Sequence, residues 1–184
     1  MTKQILLLAC GNLSRGDDAL GPLLLEYVGA HCDLSRIELL NDYQLQIEHA
    51  LDLENRKLVL FVDASVSCAG PFELTELEPL LDSSYTTHAM SPAAVMAVYR
   101  TVKKRPPPPC FLLAIKGESF ELGEGLSGDA GNHLQQACRY ALSLLSNPDP
   151  AAWRQQACSR RTVDSEQDRL CVSENLFFKA GTLR

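Results

Sequence analysis

The sequence predicts a single α/β domain, a three-layer sandwich with a mostly parallel, twisted sheet of about five strands and helices on both faces. Three observations carry that reading. Short aliphatic runs alternate with segments of helical periodicity, the pattern of strands buried on both faces and joined by crossover helices. At 184 residues the chain can fill one core without needing a second. Its composition, 46% hydrophobic and 22% charged with a net charge of -6, is that of a globular protein and speaks against a nucleic-acid binder.

Gln4 to Cys10 is a continuous apolar run closed by Gly11-Asn12, as expected of a central strand. It is too short for a membrane span and is a poor signal sequence. After the loop from Gly11 to Asp18, Leu20, Leu23, Leu24, Tyr27 and Val28 recur at helical spacing, with Pro22 tolerated in the first turn. A strand is predicted at Arg36 to Asn41, and a short helix at Ile47 to Glu54 with Ile47, Ala50 and Leu51 on its apolar side. Lys57 to Ala64 is the clearest buried strand, and it ends on an acid, Asp63. Pro71 to Glu78 alternates apolar and polar side chains, which predicts a half-exposed, antiparallel edge strand. Ser91-Pro92 reads as a cap and first helical position, followed by a stripe of Val95, Val98, Tyr99 and Val102 that ends at Pro106 to Pro109. Cys110 to Lys116 is a further buried strand, and Leu134 to Leu145 a final amphipathic helix. The domain is therefore expected to span residues 1–147. Residues 148–184 are richer in charge and are expected to form a polar, mobile extension.

The seven cysteines are scattered and odd in number, without a C-x-x-C pair, and read as reduced thiols of a cytoplasmic protein. Gly11-Asn12-x-x-x-Gly16 lacks the G-x-G-x-x-G spacing, and no acid ends the second predicted strand, so no tightly bound organic cofactor is expected.

Ligands of parallel α/β sheets bind beyond the carboxyl ends of the strands, where loops converge. Asp17 and Asp18 follow the first strand, Asp63 ends the third, and His88 precedes the Ser91 helix. Two carboxylates and an imidazole suit a borderline divalent metal such as nickel, zinc or cadmium and leave positions open for a second molecule. Each residue also has a plainer role. Asp17 or Asp18 can complement a helix dipole, Asp63 can open a turn, and His88 can be an ordinary loop residue. His31 reads as a dipole partner at a helix end, and His49 and His133 are assigned to no site.

These segments resemble the hydrogenase maturation endopeptidases. Ile5 to Gly21 is similar to that family's opening, a strand followed by G-N-x-x-x-x-D-[DE]-x-x-G; Phe61-Val-Asp-Ala64 is similar to its second motif and Thr87-His-Ala-Met-Ser-Pro92 to its third. Lys116 to Ser127 extends the likeness, which covers roughly residues 4 to 145. The resemblance implies an endopeptidase that removes a C-terminal peptide from a nickel-iron hydrogenase large-subunit precursor once nickel is inserted. The partner it implies is that precursor; a monomer is expected, with no nucleic acid and no membrane. The family's acid-acid-histidine set carries over to Asp18, Asp63 and His88, as catalytic and metal-contacting residues. Many relatives have glutamate at the first position, which leaves Asp17 and Asp18 in competition. The His-Ala-Met-Ser-Pro segment leans towards relatives serving soluble, cofactor-reducing hydrogenases.

No Ser-His-Asp order and no H-E-x-x-H helix supplies a self-sufficient protease centre. The expected role of the three residues is therefore to sense nickel carried by the substrate while water attacks the peptide bond. Two rival readings share the residues. A receiver-like phospho-acceptor domain would use the acidic pair, Asp63 and Lys116, and a non-catalytic docking module would use the acidic mouth alone.

Overall fold

The computed structural model describes residues 2–80 and 90–157. Five strands form one sheet in the order β2-β1-β3-β5-β4, comprising β1 (Ile5–Cys10), β2 (Ile37–Asp42), β3 (Leu58–Ser65), β4 (Phe72–Glu76) and β5 (Cys110–Lys116). All neighbours run parallel except β4, which lies antiparallel to β5 at one edge, as its alternating sequence predicts. The helices are α1 (Leu20–His31), α2 (His49–Asp52), α3 (Pro92–Lys103), α4 (Ala130–Ser146) and α5 (Pro150–Gln156). Among the described residues no helix is long and apolar enough to cross a membrane.

The sandwich follows from side-chain alternation. Ile5, Leu7 and Ala9 of β1 join Leu58, Leu60 and Val62 of β3 in a core under α1 and α4. Leu6 and Leu8 join Val59 and Phe61 in a second core under α2 and α3. A strand buried on both faces must be apolar at every position, which is why these runs lack a period of two. In α3, the Ser91 hydroxyl accepts from the Ala94 N–H at 3.1 Å and Pro92 occupies the first turn, as expected of that cap.

Three elements differ from expectation. β2 begins and ends one residue later than predicted, so its last residue is an acid, Asp42. The α2 segment buries Leu45, His49, Ala50 and Leu53, and leaves Ile47 and Leu51 exposed. Finally, the first residues of the anticipated extension belong to the fold. Asp149 caps α5 through the Ala152 N–H, and Trp153 is fully buried with its ring edge-on to Phe111 at 5.3 Å. The Trp153 indole N–H donates to the Leu144 carbonyl at 3.0 Å. One large aromatic in a polar stretch is enough to dock a short helix, whose apolar burial outweighs its composition. Residues 158–184 lie outside the described residues.

Candidate functional site

The loop after β1 is shaped by two glycines of the opening motif. Gly11 sits at φ +144°, and a Cβ there would fall 1.9 Å from the Asp18 carbonyl oxygen, so the chain can turn back on itself only without a side chain. Gly21 brings α1 onto the strand ends, where a Cβ would lie 2.9 Å from the Cys10 carbonyl and 3.0 Å from that of Val62. The intervening residues Gly16–Ala19 form a short 3-10 turn. In it the two neighbouring acids diverge.

Asp17 is fully buried and belongs to the scaffold. Its Oδ2 accepts from the N–H groups of Glu118 at 2.6 Å and Ser119 at 3.0 Å and from the Ser127 hydroxyl at 2.7 Å, and its Oδ1 accepts from the Ser127 N–H at 2.8 Å. Burial pushes its pKa up, but the hydrogen bonds from Glu118, Ser119 and Ser127 outweigh that and hold it below the ordinary value. The attachment is reciprocal. Asp17 N–H donates to Ser119 O, Gly16 N–H to Glu124 O, Gly123 N–H to Ser14 O, and the Arg15 guanidinium to Phe120 O. The stretch from Lys116 to Ser127 is thus the receptor that holds the first loop.

Asp18 faces the other way, half-buried, with its Oδ2 accepting from the Asn12 N–H at 3.0 Å. Asp63, also half-buried, stands at the carboxyl end of β3 and accepts the Ala64 N–H at 2.8 Å. Burial raises the Asp63 pKa to about 7; the Ala64 hydrogen bond opposes the rise and the Asp18 charge adds to it. The expectation that Asp63 and one acid of the first loop meet is therefore met by Asp18, with Asp17 committed elsewhere.

Three further residues stand at this mouth. Cys10 ends β1, and its thiol pKa is driven up by burial and then by the charges of Asp63, Asp42 and Asp18. Asp42 ends β2, and His49 lies beside it, 4% exposed, with Nε2 at 3.4 Å from Asp42 Oδ2. His49 Nδ1 accepts from the Gln46 N–H at 2.8 Å, so the ring proton is carried on Nε2 facing Asp42. Placing the end of β2 at Asn41 hid this pair, although a strand-ending acid is the same signal that singled out Asp63. His31 stacks on Tyr27 and bonds its carbonyl, and His133 bonds the Lys116 carbonyl at the carboxyl end of β5.

His88 lies outside the described residues. The described chain resumes at Met90, whose N–H donates to the Leu45 carbonyl at 3.1 Å and whose side chain packs on the α2–α3 core. Among the described residues no group of three or more His, Cys, Asp or Glu side chains is arranged to hold a metal ion.

Solved structures share this architecture. The hydrogenase maturating endopeptidase HybD from E. coli superposes with a TM-score of 0.63 and 24% identity, over 79% of this chain and 93% of its own. The [NiFe] hydrogenase maturation protease HycI from Thermococcus kodakarensis KOD1 gives 0.61 and 22%, over 79% and 94%. This chain has the fold of the hydrogenase maturation endopeptidases. The hydrogenase 2 maturation peptidase from a Thaumarchaeota archaeon extends the likeness, with a TM-score of 0.57 and 18% identity over 78% and 98% of the two chains. No family model and no curated protein matches the sequence. The endopeptidase fold thus rests on backbone geometry, at sequence identities low enough that function is argued from the site.

Proposed function

We propose that the chain is an endopeptidase that removes the C-terminal peptide of a nickel-iron hydrogenase large-subunit precursor after nickel insertion, with Asp18, Asp63 and His88 contacting the nickel borne by that substrate. One observation supports this above the others. Asp18 follows β1 and Asp63 ends β3 at the same end of the sheet, where burial raises the Asp63 pKa and the nearby Asp18 charge adds to the rise. Two carboxyl groups in a partly desolvated mouth, one of them held near neutrality, are both ionised most readily beside a cation. Carboxylate oxygens joined by an imidazole suit a borderline divalent ion such as nickel, and a three-donor set leaves room for ligands supplied by the precursor itself.

In this reading the nickel is part of the substrate, and its role is recognition. Docking it against Asp18, Asp63 and His88 places the peptide bond beside the mouth, where water is the nucleophile. The precursor is the sole partner required; the enzyme acts as a cytoplasmic monomer. His88 is two residues before Met90, whose N–H donates to the Leu45 carbonyl after β2.

The test is the size shift of the nickel-loaded large subunit. Wild-type protein is expected to process it, and Asp63→Asn or His88→Ala to abolish processing while remaining folded. A fully active double variant would remove the proposed site. The same assay separates a docking module, which binds precursor without shortening it. A receiver domain fits less well, because its acceptor needs an exposed acidic pair, whereas Asp17 is consumed by the scaffold, and because β5 here lies between β3 and an antiparallel β4.

A further inference from the structure

We propose that the outer edge of β2 is the track for the substrate peptide: an extended segment of the precursor adds there as a further strand and leads across Asp42 to the acidic mouth. The inference rests on the endopeptidase reading above and names how the peptide is held.

The backbone of β2 is prepared for such a partner. Ile5 N–H donates to Arg36 O and Gly11 N–H to Asp42 O, and the register runs unbroken from Ile5 opposite Ile37 to Cys10 opposite Asp42. In a parallel ladder this turns the even-numbered residues of β2 towards β1 and leaves Leu39 and Asn41 directing N–H and C=O outwards. Among the described residues nothing pairs with them. Proteins usually blunt such an edge with proline, lysine or a bulge. β2, Ile-Glu-Leu-Leu-Asn-Asp, has none of these; its charges, Glu38 and Asp42, fall on the even-numbered positions that pair with β1. Its one glutamate, Glu38, is engaged by Arg56 at 2.6 Å.

Alongside this edge runs a groove of about 280 Å³ lined by Leu13, Pro22, Leu25, Gly29 and Leu39, with Glu26 on its wall. Added strands bind by main-chain hydrogen bonds and are selected by pockets that take alternate side chains. An apolar groove on the Leu39 face with one acid supplies such a pocket. It favours an extended segment carrying apolar residues at alternate positions and a basic one near Glu26. At its carboxyl end the track meets Asp42, whose charge is felt at Cys10 together with those of Asp63 and Asp18. A second macromolecule docking elsewhere would have no such continuity with the mouth.

The geometry sets a length. From an added strand to β3 is three strand spacings, about 14 Å, which an extended chain crosses in roughly four to five residues. The cleaved bond should therefore lie roughly four to five residues beyond the last residue paired to β2.

Hydrogen exchange on the full-length wild-type protein, pulse-labelled while nickel-loaded precursor is being processed, tests the track directly. The Leu39 and Asn41 amides should exchange rapidly alone and be protected at least about tenfold with precursor. In parallel, Asn41→Pro removes an outward N–H without touching the β1 ladder, and should slow processing about tenfold while its melting stays cooperative. If the precursor is processed with no protection at Leu39 and Asn41, the track is overturned and the endopeptidase reading stands. Protection that follows the protein's own concentration and not the precursor's means a second copy occupies the edge, and also overturns it. A wild-type protein that neither binds nor shortens nickel-loaded precursor overturns both.

Discussion

Asp17 and Ser127 are bound to each other twice, through the serine N–H at 2.8 Å and its hydroxyl at 2.7 Å, and this clasp joins the loop after β1 to the loop after β5. Removing the carboxylate strands three backbone N–H groups in a part-buried setting. Asp17→Ala is expected to cost roughly 3–5 kcal/mol, measured by urea denaturation. Ser127→Ala, which removes only the hydroxyl, should cost about 1 kcal/mol. A Ser127→Ala effect as large as that of Asp17→Ala would contradict the assignment.

The clasp also fixes a pH dependence. The folded Asp17 carboxyl has a pKa below its unfolded value, so its contribution is fully present above the unfolded pKa and is lost as pH falls through the folded one. Wild-type stability should decline from about pH 4 downwards. Asp17→Asn should flatten that acid limb, which thermal melts across the acid range would show.

Asp63 behaves with the opposite sign. Its folded pKa is raised to about 7, chiefly by burial, so the folded state holds a proton the unfolded chain releases, and stability is lost as pH rises from about 4 through 7. Asp63→Asn should therefore be more stable than wild type above neutrality, by roughly 1–2 kcal/mol and a few degrees of melting temperature, while losing processing. Equal melting of the two proteins at about pH 8 would mean that the acid is not strained by its surroundings.

Much of this was legible from residue patterns. Uninterrupted aliphatic runs located β1, β3 and β5, because a strand covered on both faces tolerates no polar position, and alternation in Phe72–Glu76 marked the antiparallel edge. The convergence of Asp63 with the first loop followed from the general placement of ligands at strand ends. What sequence could not decide was which of two adjacent acids faces the mouth. That depends on donors more than a hundred positions away, at Glu118, Ser119 and Ser127. The His49–Asp42 pair was missed through a one-residue error in a strand end, and α5 because composition was averaged over a stretch whose docking depends on one residue.

That residue makes a further prediction. Trp153 packs against Phe111 and satisfies its indole N–H on α4, so Trp153→Ala should cost roughly 3–5 kcal/mol, read from denaturant midpoints. Truncation after residue 147 should cost a comparable amount. A truncated chain with wild-type stability would show that α5 is only an appendage.

The proposal most open to direct test is that Asp18, Asp63 and His88 read nickel in the substrate. Its most direct test is to mix purified protein with nickel-loaded and nickel-free forms of the same large-subunit precursor and follow the shortening of each by mass. Cleavage of the nickel-loaded form alone is the expected result; equal cleavage of both would contradict nickel recognition.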